Sequence, residues 1–117
     1  MLMTDGHPVS IDHDAVRTDV QRARELYTRQ ARTALVPETI EELRDHLRSL
    51  IPVCEDMTSR MPVGQPRLRS ESAIATARHL LTATPADGPM GRLVHMQLLA
   101  DSVSVLAARA RAPREPM

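Results

Sequence analysis

The stretch LRDHLRSLIPVCEDM, residues 43–57, keeps Leu43, Leu47, Leu50, Ile51, Cys54 and Met57 at helical spacing straight through a proline, Pro52. Extended to Ile40 and Met61, these side chains form one stripe, with Arg44, Asp45, Arg48, Pro52, Glu55 and Ser59 on the other side. A proline inside a helix removes one backbone hydrogen bond and crowds the carbonyl four residues back, here that of Arg48. On the outer face that carbonyl can be hydrated, so a helix that bends at Pro52 is expected rather than one that breaks. The alternative is a pair of short helices with Pro52 opening the second. Upstream, Thr39-Ile-Glu-Glu42 has the capping-box pattern, which predicts a helix start at Thr39 and an end near Met61.

Working outward, Val16, Val20, Ala23, Tyr27, Ala31 and Ala34 lie on one arc opposite Arg17, Arg24, Glu25 and Arg32. This predicts an amphipathic helix over roughly 12–35. Asp12 and Asp14 would sit at its positive end. A third helix, roughly 67–84, presents Ala73, Ile74, Ala77, Leu80 and Leu81, with His79 opposite. A fourth is expected at about 89–110. Prolines at 37, 62–66 and 85–89 mark the connections. The fold class is therefore all-α, an up-and-down antiparallel four-helix bundle with a proline-kinked second helix. Residues 12–111 form one domain between tails at 1–11 and 112–117.

The fourth helix has two apolar stripes. Leu93, Met96, Leu99, Ala100, Val103, Leu106 and Ala107 make a broad core arc, and Val94, Leu98 and Val105 stand apart from it. A helix apolar on two sides is either central or carries a partner surface. Val94, Leu98 and Val105 are thus candidate interface residues for a homodimer or another protein partner. The competing reading is that the first helix wraps further round and covers them.

Composition sets limits. The 117 residues carry 15 basic and 15 acidic side chains, one cysteine, one tyrosine and no tryptophan or phenylalanine. Zero formal net charge argues against a dedicated nucleic-acid binder, despite a short basic run at Arg109, Arg111 and Arg114. Tyr27 alone offers no stacking platform for bases. The N-terminus MLMTDGHPVS lacks the basic start and apolar run of a signal peptide, and no apolar stretch approaches a membrane span. A lone cysteine forms no intrachain disulfide, which suits the cytoplasm.

No catalytic constellation emerges. Glu42 precedes His46 by four residues rather than the three of a bundle diiron motif, and His79 has no matching glutamate. His7, Asp12, His13 and Asp14 cluster near the N-terminus, but as exposed side chains rather than a metal site. No Gly-x-Ser-x-Gly elbow occurs, and Ser70, Ser72, Ser102 and Ser104 read as ordinary polar helix residues. Gly88-Pro-Met-Gly91 is a turn and helix start beside Arg92, too short for a P-loop. Cofactors and metals are accordingly expected to be none. Cys54 lies along the core stripe, where a thiol behaves as a small hydrophobe. His46 and His95 stand at stripe margins and, with Cys54, are the candidate lining of a small ligand pocket if the second and fourth helices are neighbours. Histidines that merely cap the core are the plainer reading.

Residues 39–61 and 68–107, through LRDHLRSLIPVCEDM, ATARHLL and HMQLLADSVSVLAA, resemble a family of small actinobacterial helical proteins of unknown function, described as natural-product biosynthesis proteins. The resemblance implies a helical fold and a biosynthetic context. His46 and His95 fall where those proteins carry histidine. Cys54 replaces an aliphatic residue, and the last helix ends in Ala-Ala-Arg-Ala rather than a His-Tyr pair. Two functions are expected to compete: a non-enzymatic interaction or regulatory module that self-associates through the last helix, and a small-molecule binder or minor enzyme using His46 and His95.

Overall fold

Helix α1 spans His13–Thr28, α2 Leu35–Ser59, α3 Gln65–Thr82 and α4 Gly88–Arg111. This computed structural model describes residues 11–111; the expected tails, with His7 and Arg114, lie outside the described residues. Among the described residues there is no strand. Pro52 sits inside α2, exposed, and the helix continues through it to Ser59. Leu43, Leu47, Leu50, Ile51 and Cys54 are all buried along the inner side.

α1 ends earlier than its apolar spacing predicts. The N–H of Ala31 bonds to the Leu26 carbonyl and that of Gln30 to the Tyr27 carbonyl, with Gln30 at φ 50°. This is a Schellman closure whose left-handed position is filled by glutamine instead of the usual glycine. With the chain turning there, Leu26 rather than Tyr27 occupies the last inward position. Leu26 is 3% exposed and Tyr27 39%, which leaves the phenol in water and gives the core an all-carbon side chain.

α2 begins earlier than Thr39. Its first turn contains Pro37, where a missing N–H costs nothing, and the Leu35 N–H bonds to Thr33 Oγ1. Thr39 is fully buried within the helix and forms no capping box. α4 starts at Gly88, whose φ of 90° favours glycine. Gly91 is needed for a different reason, because a Cβ there would run into the Ala86 carbonyl.

Chain direction follows from paired residues. Asp19 of α1 meets His46 of α2, and Arg22 meets Glu42, so these helices oppose each other. Thr58 meets Ser70, and Arg44 reaches Ala83, so α2 and α3 also oppose. Arg44 meets His95 and Cys54 meets Leu106, so α2 and α4 run the same way. α2 and α4 touch each other and both outer helices, whereas α1 and α3 make no contact with one another. The bundle is therefore a central pair with one helix on each side. Leu93, Met96, Leu99, Ala100, Val103 and Leu106 of α4 are buried against this pairing. Removing a leucine side chain from such a core costs about 2–5 kcal/mol.

Candidate functional site

Two polar linkages flank α2. On one side His46 Nε2 lies 2.7 Å from Asp19 Oδ2, and Arg22 bridges Asp19 at 3.3 Å and Glu42 at 3.1 Å. Both His46 and Asp19 are largely shielded, so the pair ties α1 to α2. On the other side Arg44, expected at the solvent face, is drawn inward. Its guanidinium donates to the Ala83 carbonyl and to His95 Nε2, each at 3.3 Å, and pairs with Glu41. Arginine is always a donor, so His95 accepts at Nε2 and carries its proton on Nδ1. Burial, reinforced by the Arg44 charge, holds the His95 imidazole below its usual range.

The two histidines have separate partners. Arg44 and His46 are two residues apart on α2, about 200° on the wheel, so they serve opposite flanks. His46 is engaged with α1 while His95 is engaged with Arg44. Cys54 is 1% exposed and its thiol donates to the Leu106 carbonyl at 3.4 Å. Burial pushes this thiol up, with Arg109 partly opposing, so the nucleophilic thiolate is disfavoured.

Two participants gave little sequence signal. Arg44 reads as a solvent-side charge and Asp19 belongs to no pattern in the sequence, so only the tertiary partner reveals their role. Ser70, which reads as ordinary, is 4% exposed and shares a 2.6 Å hydroxyl hydrogen bond with Thr58. Among the described residues no cluster of three His, Cys, Asp or Glu side chains is arranged to hold a metal, and no helix is long and apolar enough to cross a membrane.

The outer face of α4 is the other distinctive feature. Between Val94 and Ala110 its exposed residues are Val94, Leu98, Asp101, Val105 and Ala108. The three larger apolar members are 41%, 48% and 46% exposed, and α1 does not cover them. The corresponding outward strip of α2 carries Glu41, Asp45, Arg48, Ser49, Pro52 and Asp56. The two central helices thus occupy similar places but face the solvent with opposite character. Beside the α4 strip, Arg24 of α1 pairs with Asp101 at 3.2 Å and donates to Ser104 at 3.4 Å. An open groove of about 740 Å³ runs between α1 and α4, bordered by Gln21, Arg24, Thr28 and Ser104.

Residues 14–115 match the model of a family of unknown function, DUF6415. The chain belongs to that family. The match takes in all of α2, α3 and α4 and nearly all of α1, so the central pair and both flanking helices fall within the DUF6415 unit. Neither the curated proteins nor the solved structures give a match.

Proposed function

We propose that this chain is a non-enzymatic protein-interaction or regulatory module that self-associates through the outer face of α4. In this reading the chain is an up-and-down antiparallel bundle, kinked at Pro52, that acts in the cytoplasm in connection with natural-product biosynthesis. The carrying observation is the exposure of Val94, Leu98 and Val105 in line on a helix whose opposite side is core. Exposed apolar side chains in a contiguous strip mark association surfaces more often than scattered ones do. The contrast with the charged strip of α2 supports this, since an outward face of a central helix in this bundle has no need of apolar residues. The biosynthetic context rests on the resemblance in residues 39–61 and 68–107, and the compartment on the single buried thiol.

Light scattering at two concentrations tests the reading. A dimer of about 26 kDa, twice the 13.0 kDa chain, is expected. Val94→Asp with Leu98→Asp should return it to a monomer with helicity retained. A wild-type protein that stays monomeric at high concentration overturns the reading, and loss of fold in the variant would make the strip part of the core.

A further inference from the structure

Resting on that reading, we infer that α4 pairs with α4 of a second copy in an antiparallel, two-fold arrangement centred at Asp101. The exposed line Val94, Leu98, Asp101, Val105, Ala108 advances by four, three, four and three residues. That is the heptad seam by which two helices pack along their length. The line is also nearly symmetric about Asp101. Val94 lies seven residues before it and Ala108 seven after, while Leu98 and Val105 lie three before and four after.

An antiparallel pair then sets Val94 against Ala108 and Leu98 against Val105 of the second copy, with the two Asp101 residues at the axis. Such self-complementarity is what a two-fold interface requires, since the same patch must serve both subunits. Each apolar layer joins a larger to a smaller side chain, which allows knobs to fill holes evenly. A parallel pair would instead set Leu98 against Leu98 and leave Ala108 facing Ala108.

Charge favours the same direction. The last turn of α4 is basic, with Arg109 and Arg111. A parallel pair gathers four arginines at one end, and an antiparallel pair separates them and opposes the helix dipoles. At the axis each copy brings Asp101 with Arg24 already 3.2 Å away. Two carboxylates and two guanidinium groups meet there with no net charge. Asp101 in an apolar seam also fixes the register, because a slip by one heptad would set each carboxylate against an apolar residue of the other copy. The strip's five exposed residues are fewer than the roughly 20–30 a side of a standard interface. This two-fold places α1 beside α1 of the second copy, so the outward face that borders the α1–α4 groove supplies further area.

Disulfide trapping on the full chain tests the arrangement. V94C and a tagged A108C are made separately, mixed and mildly oxidised, then resolved by size without reductant, with light scattering of the unmodified protein alongside. Cys54 is buried, so the wild type is the uncross-linked control. The expected result is a tagged–untagged species in the mixture, at least tenfold above the cross-linking of V94C alone. Efficient linking of V94C to itself overturns the antiparallel direction. A dimer by scattering without the mixed species overturns the geometry and leaves self-association standing. A monomer at every concentration overturns both.

Discussion

The guanidinium of Arg44 donates to Nε2 of His95 at 3.3 Å, joining α2 to α4 through a neutral imidazole. His95 takes up a proton near pH 6.5 when unfolded, but burial and Arg44 lower that value in the fold. Between the lowered value and about 6.5 the unfolded chain therefore holds more protons, and stability falls as the pH drops through this window. Above it, His95 is neutral in both states and contributes no slope. His95→Gln keeps an acceptor for Arg44 without the titration. Thermal melts from pH 7.5 to 5.5 should show the wild type losing stability relative to this variant; parallel curves would refute the account.

The Thr58–Ser70 hydroxyl pair is buried between α2 and α3. Ser70→Ala leaves Thr58 without that partner and should cost about 1–3 kcal/mol. Thr58→Val with Ser70→Ala removes both polar groups and should recover most of the loss. Denaturant titration of the wild type and the two variants checks this; a double variant no more stable than Ser70→Ala is the contrary result.

Gly91 packs its backbone against the Ala86 carbonyl at the start of α4. Gly91→Ala ordinarily raises helix propensity, yet here the added methyl forces the 83–87 connection to move. A destabilisation of about 1–3 kcal/mol is expected, measured by chemical unfolding. A stabilised variant would show that the connection yields freely.

Arg24 and Asp101 form a partly exposed pair. Within one copy its worth is small, about 0–1 kcal/mol. At a two-fold axis, however, Arg24→Gln would leave two carboxylates facing each other. Arg24→Gln should weaken the dimer at least tenfold by sedimentation while barely shifting the melting temperature. Adding Asp101→Asn should restore association.

The apolar stripes of α2, α3 and α4 were legible because burial follows helical period: Leu43 to Cys54, Ile74 to Leu80 and Leu93 to Ala107 all face inward as their spacing predicts. Helix ends were less legible. Gln30 does the work of a glycine at the close of α1, and the buried Thr39 mimics a cap it does not form. Neither departure leaves a local mark, because tertiary packing decides whether the chain turns at Arg29 or continues. The polar linkages were half visible. His46 and His95 stood out by their positions, but the histidine partners that reveal Asp19 and Arg44 lie 27 and 51 positions away in the chain.

Because α1 and α3 touch only the central pair, the interior has two lobes that share one spine. Val20 belongs to the first lobe and Ile74 to the second, and no direct contact couples their helices. Losses from Val20→Ala and Ile74→Ala should therefore add to within about 0.3–0.5 kcal/mol, whereas either combined with Leu99→Ala on the spine should not. In energetic terms the molecule is two three-helix units fused along the same two helices, and damage to one side reaches the other only through that shared wall.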